Sequence, residues 1–183
     1  MIGAGRIITG SAAEGVRGVE AMTYFGPDGS IVVDPSAELL ERLVFRERGG
    51  LWRVGSGDAS LSVAVHTRHK TYASVAGQPT LMFFLVPRHG FFFTYFEPQP
   101  VRVVQWVPFA GGECRPWVEH CIGGDCFFAP RACFVSRPFA WAVVSEFVRS
   151  RRRSPAVPWV ERSGLEFPFP PAGDPRPRKA DLA

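Results

Sequence analysis

Two apolar runs constrain the fold more than any other feature of the chain: TLMFFLV at 80–86 and FFFTYFE at 91–97. Neither run alternates apolar with polar residues as a half-exposed strand does. A strand without alternation is buried on both faces, and as an exposed sheet edge such a run would promote aggregation. The two runs therefore predict neighbouring interior strands, joined by the turn PRHG and covered on each side.

Further segments supply the rest of an antiparallel sheet. Most are short, apolar and bounded by turn residues, and AVPWVE reads as a final edge strand because Pro158 has no N–H to donate. The remaining predicted strands are AMTYF and SIVVD around the turn GPDG, LWRV and ASLSVAVHTR around GSGD, VRVVQWV, and the hairpin PWVEHCIGGDCFFAP that turns at Gly123–Gly124.

Two segments have helical patterns, near 35–48 and near 137–150. In the first, Asp34 has the character of an N-cap with Pro35 at the first helical position. In the second, Ser136 is the predicted N-cap, and the apolar stripe comprises Phe139, Ala140, Val143, Val144 and Phe147. The fold predicted is α+β, a mostly antiparallel curved sheet of about six to eight strands packed by two main helices.

A chain of 183 residues with 46% hydrophobic and 21% charged residues is predicted to be globular and to hold one domain. Its Gly- and Ala-rich start predicts a loose arm or an edge strand over 1–20, before a single domain over 21–166. The Pro-rich, basic end predicts a disordered tail over 167–183. Since no apolar run is long enough for a membrane span and the start is a poor secretory signal, we expect a cytoplasmic protein without membrane partners.

The net charge of +4 is unevenly distributed. Residues 149–183 hold eight basic and four acidic groups, and residues 1–148 carry thirteen of each sign. The cluster Arg149–Arg153 at the end of the second helix, together with the basic tail, is an alternative binding site for nucleic acid or another anionic surface. The aromatic residues that would stack on bases occur in patterns that predict burial, which argues against nucleic acid as the main partner.

Four cysteines, at 114, 121, 126 and 133, are placed symmetrically about the hairpin turn. This register predicts that Cys121 faces Cys126 and that Cys114 faces Cys133. Because the two pairs lie an odd number of residues apart, they would point to opposite faces and would not share a metal ion. His120, Cys121 and Cys126 are the candidates for a Cys/His-dependent enzyme, the second alternative function.

Motifs for hydrolases, zinc proteases or phosphate loops are absent from the sequence. The same geometry argues against the Cys/His candidates. Neighbouring strand positions belong to opposite faces of the sheet, so their side chains would not meet. We therefore expect no catalytic activity, no cofactor and no bound metal.

From Ser136 the chain has a predicted helix with Ala142 and a late Phe147, followed by Pro155, Val157 and Trp159. In these residues the segment after residue 130 resembles the immunity proteins of bacterial polymorphic toxin systems, specifically the first-numbered immunity family. Members close with a serine-initiated helix carrying alanine and a late phenylalanine, then a proline turn, a valine and a tryptophan. Upstream, GSGDASL and GFFFTY resemble the family's strand pair and central hairpin. The loop after the helix usually contains glycine, where this chain has Arg151–Arg153. The matching residues are Gly57, Leu61, Gly90, Tyr95, Ser136, Ala142, Phe147, Pro155, Val157 and Trp159.

The resemblance implies a small α+β protein that binds a cognate toxin domain, of nuclease or deaminase type, and blocks its active site. Binding faces in such families vary with the toxin, so contact residues are inferred from the chain itself. Turn residues and strand carboxylates are the candidates, since acidic groups suit a toxin site built to hold phosphate. They are Arg88, His89, Glu97, Glu119, Gly123, Gly124 and Asp125.

Overall fold

The two phenylalanine-rich runs form neighbouring interior strands of one open antiparallel sheet, as predicted. The computed structural model describes residues 7–8, 18–66, 71–72, 77–112, 116–122 and 125–165. The strands in chain order are β1 (Ile7–Ile8), β2 (Gly18–Phe25), β3 (Ile31–Val33), β4 (Ala59–His66), β5 (Thr71–Tyr72), β6 (Thr80–Val86), β7 (Gly90–Pro98), β8 (Val103–Pro108), β9 (Trp117–Ile122), β10 (Asp125–Pro130) and β11 (Trp159–Glu161).

The main sheet has seven strands in the order β1-β2-β4-β6-β7-β8-β11, with β3 beside β2 and β5 beside β4. Strands β9 and β10 form a separate hairpin. Strand β11 pairs with β8 at the edge, as the proline in AVPWVE predicted. The predicted hairpin β2–β3 is also confirmed.

The sheet is covered on both faces, and adjacent phenylalanines show this directly. Phe83 contacts Trp52 on the helical face, with ring centroids 5.7 Å apart. Phe84, the next residue, stacks on His120 of the β9–β10 hairpin at 4.6 Å. Since successive strand residues point to opposite faces, the helices and the hairpin lie on opposite sides of β6. The absence of alternation in this strand is thereby explained.

The first helix is shorter than predicted and begins two residues later. Helix α1 spans Ala37–Glu41 and continues as a π-helical turn, Arg42–Arg46. Ser36 is the N-cap, and its hydroxyl accepts a hydrogen bond from Leu39 N–H at 3.2 Å. The prediction that Asp34 caps this helix, with Pro35 as its first residue, was therefore wrong. The predicted end near residue 48 was also too late.

The segment LWRV is not a strand. Leu51–Arg53 form a 3-10 turn that places Trp52, which is fully buried, between the helices and the sheet. The indole packs edge-on to Phe91 at 5.9 Å. Burial of this large ring outweighs the strand propensity of the short segment around it.

The second helix, α2, spans Arg137–Ser150 and agrees with the predicted bounds. Ser136 occupies the N-cap position, although its hydroxyl makes no capping hydrogen bond. Phe139 is 51% exposed, so its assignment to the buried stripe was wrong. The buried side chains of α2 are Ala140, Val143, Val144 and Phe147.

Strand β2 begins at Gly18, inside the segment predicted to be an arm, and Ile7–Ile8 pair with its first residues. The tail predicted over 167–183 lies outside the described residues. In the described part of the chain, no helix has both the length and the apolar character that a membrane crossing requires.

Candidate functional site

The candidate residues on β7 and in its preceding turn lie on two different surfaces. Arg88 and His89 are in the turn between β6 and β7, whereas Glu97 pairs with Val104 near the far end of β7. Extended strand separates His89 from Glu97 by about 25 Å. No single small contact patch contains both groups.

A cavity of about 440 Å³ opens at the β6–β7 turn. Its walls come from the loop after the first helix, from the turn itself and from the start of α2. A volume of this size is typical of ligand pockets. We call it the basic cleft and define it by six of its lining residues: Arg48, Pro87, Arg88, His89, Ser136 and Arg137.

Arg88 has an unusual backbone conformation for a residue with a side chain. His89 N–H donates to the carbonyl oxygen of Val86 at 3.0 Å, which closes a turn with Pro87 and Arg88 at its centre. Arg88 has φ of 73°, the value required at the third position of a type II turn. Glycine is usual there, because an L side chain costs roughly 1–2 kcal/mol in this conformation.

Arg137 holds a fixed positive charge in the same cleft. Its guanidinium donates to the carbonyl oxygen of Val44 and, at 2.7 Å, to that of Glu47. The group also lies 5.9 Å from the ring centroid of Phe91. Arg137 therefore satisfies carbonyls at the end of the first helix and stays rigid. Carbonyl oxygens are neutral, so its charge is not cancelled.

His89 lies in the positive electrostatic field around the turn. Its ring lies 6.2 Å from that of Phe134. The pKa of His89 is lowered from 6.5, chiefly by burial and then by the charges of Arg131 and Arg88. Two guanidinium groups thus lie close enough to the imidazole to disfavour its protonation.

Glu97 belongs to an intramolecular cluster on the opposite end of β7. Its carboxylate accepts a hydrogen bond from Trp106 Nε1 at 2.8 Å and lies 4.0 Å from a guanidinium nitrogen of Arg153. The guanidinium of Arg153 stacks over the Trp106 ring, 3.8 Å from its centroid. Any toxin contact by Glu97 would have to compete with these internal partners.

The arginine run at the end of α2 is only partly available to a ligand. Arg149 pairs with Glu146 at 2.5 Å, and hydrogen bonds from Ser150 and then Arg149 lower the pKa of Glu146. Arg153 is held by Trp106, as described above. Only Arg151 and Arg152 of this run are both exposed and without an acidic neighbour within 4.0 Å among the described residues.

The remaining predicted contacts lie on the β9–β10 hairpin. Glu119 is exposed on β9, opposite Phe128. Asp125 is the first residue of β10 and pairs with Ile122. Gly123 and Gly124 lie outside the described residues. Among the described candidates, Arg88 and His89 lie in the β6–β7 turn, Glu97 near the far end of β7, and Glu119 and Asp125 on the β9–β10 hairpin.

The Cys/His candidates occupy the same hairpin. Cys126 pairs with Cys121, which confirms the predicted register. Cys114 lies outside the described residues, and Cys133 is buried in the helical turn after β10 and is not in a strand. Among the residues described, no group of three His, Cys, Asp or Glu is placed to hold a metal ion.

His120 is partly buried and packs against the sheet. It stacks on Phe84, and its Nε2 has no hydrogen-bond partner among the described residues. Burial lowers its pKa below 6.5, an effect that the charge of Asp58 partly opposes. His120 and Cys121 are consecutive positions of β9, which belong to opposite strand faces.

Sequence reasoning missed two residues of the basic cleft, Arg48 and Arg137. Each of them lines the same cavity as Arg88 only because the tertiary structure brings distant segments together. The one local signal is Arg137's place directly after the N-cap serine, at the start of α2. Comparisons with protein-family models, with curated proteins and with solved structures gave no match.

Proposed function

We propose that this chain is an immunity protein: it binds a cognate bacterial toxin domain, of nuclease or deaminase type, and blocks its active site. One observation carries the proposal. Residues that carry the family resemblance, although far apart in sequence, pack into one unit around Tyr95. Its ring lies 6.1 Å from Phe147 of α2 and 6.2 Å from Trp159 of β11.

The turn between α2 and β11 supports the same unit. Trp159 Nε1 donates to the carbonyl oxygen of Ser154 at 2.9 Å, across the turn that contains Pro155. Tyr95 donates its hydroxyl proton to the carbonyl oxygen of Arg151 at 3.0 Å. The pattern of late phenylalanine, proline and tryptophan therefore has a physical purpose, which is to fasten the end of α2 to the sheet.

Gly90, another residue of the pattern, is required by a close backbone approach. Phe91 and Val135 exchange two backbone hydrogen bonds of 2.9 Å. A Cβ on Gly90 would lie 2.3 Å from the carbonyl oxygen of Val135, and Gly90 has φ of 108°. This bridge fixes the start of α2 against β7.

A platform fastened at both ends of α2 suits an inhibitor. A preformed surface loses little conformational entropy on binding, so more of the contact energy appears as affinity. High affinity is what neutralisation of a toxin requires.

The two alternatives have less support. Among the described residues, a nucleic-acid site at the end of α2 would depend on Arg151 and Arg152, since Arg149 and Arg153 are engaged within the protein, and the basic tail lies outside those residues. A Cys/His enzyme would depend on His120, whose ring is stacked on Phe84.

Co-expression tests the proposed function. The toxin domain encoded beside this gene is expressed in a host together with this chain, and a toxin from an unrelated system serves as the specificity control. We expect growth to be restored with the neighbouring toxin alone. Cell death despite abundant folded protein would reject the immunity role.

A further inference from the structure

We propose that the basic cleft is a binding site for carboxylate groups from an acidic segment of a partner protein. The identity of the partner as a protein rests on the proposed function. The cleft would take Asp and Glu side chains on the toxin surface outside its active site, because a site that holds phosphate is itself basic and would repel the arginines of the cleft.

The arginines of the cleft have charges that the described structure does not neutralise. No carboxylate oxygen of the described residues lies within 4.0 Å of the guanidinium nitrogens of Arg48, Arg88 or Arg137. Arg48 and Arg88 are exposed at the rim, and Arg137 is half-buried. Guanidinium groups bind carboxylates through paired, charge-assisted hydrogen bonds, so Arg48 and Arg88 match an acidic ligand. Arg137, whose terminal nitrogens already donate to backbone carbonyls, adds its positive charge.

Arg88 occupies a position where the backbone favours glycine. The type II turn would be less strained with glycine at this position, yet the chain places an arginine at the mouth of a cavity. Residues held in such conformations occur often at binding sites. The backbone strain at Arg88 is thus offset by contacts elsewhere in the fold. Ligand binding by the Arg88 side chain gives this strained conformation a function.

The shape of the charged surface favours a protein over a nucleic acid. The cleft, at about 440 Å³, has room for a few side chains. The exposed arginines 151 and 152 lie at the other end of α2, about 20 Å away along the helix axis. Glu146 lies between the two basic regions on the same helix. A phosphate backbone needs a continuous basic track, which these two regions do not form.

Binding of a short acidic peptide to the full chain tests the site. The probe is a blocked hexapeptide of Asp and Glu, compared with the Asn and Gln hexapeptide, with inorganic phosphate and with a single-stranded oligonucleotide. Of these four probes, we expect only the acidic peptide to bind. Its affinity should fall as the salt concentration is raised.

Two matched substitutions locate the binding. Arg88→Gly relieves backbone strain, so its melting temperature should rise while peptide affinity falls about tenfold. Arg151→Gly makes the same change at another left-handed position, where φ is 59°. This variant should be more stable than the wild type and should keep its affinity for the acidic peptide. Arg48→Gln should also weaken binding.

Three outcomes of the binding experiments would overturn the site. They are no binding of the acidic peptide, unchanged peptide affinity in Arg88→Gly, and binding of the oligonucleotide or phosphate that is tighter than peptide binding and is abolished by Arg88→Gly. Failure of the cleft is distinguishable from failure of the proposed function. Toxin neutralisation by Arg88→Gly at wild-type level would reject the cleft and leave the immunity role. Peptide binding without toxin neutralisation would reject the immunity role and leave the cleft.

Discussion

The hydroxyl of Tyr95 donates a hydrogen bond to the carbonyl oxygen of Arg151, 3.0 Å away, and so joins β7 to the C-terminal end of α2. The last carbonyls of a helix have no partner within the helix. Here a side chain from the centre of the sheet supplies one, and the same tyrosine ring packs edge-on to Phe147. The end of α2 is thereby fixed relative to the sheet.

Tyr95→Phe tests this contact. The ring stays and only the hydroxyl is lost, so we expect the free energy of unfolding to fall by about 1 kcal/mol. Urea denaturation measures it. Tyr24→Phe is the matched control, because the Tyr24 ring is also buried and no hydrogen bond of its hydroxyl is found among the described residues. Equal losses in both variants would contradict a specific role for the Tyr95 hydroxyl.

Gly90→Ala tests the bridge between β7 and the start of α2. The new Cβ would clash with the carbonyl oxygen of Val135 in addition to the cost of positive φ, so we expect a loss of at least about 2 kcal/mol. Gly111→Ala separates the two effects, since Gly111 has φ of 84° but no atom within 4 Å of the position that an added Cβ would take. In thermal or urea unfolding, the Gly90→Ala variant should be clearly less stable than the Gly111→Ala variant. Similar stabilities would mean that the close approach is absent.

The burial of His120 predicts a pH dependence of stability. Burial lowers the pKa of His120 below 6.5, and Asp58 partly opposes this effect. The folded state therefore favours the neutral ring, so its stabilising contribution is complete above about pH 6.5 and is lost as pH falls through the lower folded pKa. Unfolding free energies measured from about pH 7.5 down to about pH 5 should fall.

His120→Phe is the diagnostic variant for that pH dependence. Phenylalanine keeps the stacking on Phe84 but has no titrating group, so the slope of stability against pH should be smaller. An unchanged slope would assign the effect to other groups.

The sheet was predictable from sequence because its signals are local. The runs that contain Phe83 and Phe91 have no polar face, and this property alone requires interior strands. The pairing of Cys121 with Cys126 followed from the position of the turn. Helix α2 followed from its N-cap serine and its apolar spacing.

The first helix shows where local signals compete. Asp34, Pro35 and Ser36 are all typical of helix starts, and the sequence does not rank them. Ser36 caps the helix because its hydroxyl reaches Leu39 N–H, while Asp34 takes a left-handed conformation with φ of 49°. Trp52 was misassigned for a related reason, since its burial between layers depends on the whole fold.

The basic cleft was only partly predictable. Arg88 and His89 were identified because a turn between two buried strands must be exposed. Arg48 and Arg137 were not, because a long stretch of sequence separates each of them from the turn, and tertiary packing alone brings them together. Glu97 looked like a free strand carboxylate, since the sequence does not show Trp106 and Arg153 beside it.

Titration of the purified neighbouring toxin domain with this protein, with the toxin's catalytic rate as the readout, tests the immunity role without the complications of a living host. We predict that activity falls linearly to zero at a fixed, low molar ratio, as for a tight inhibitor, and that an unrelated toxin keeps its full rate. Undiminished toxin activity at a large excess of folded protein would contradict the immunity role.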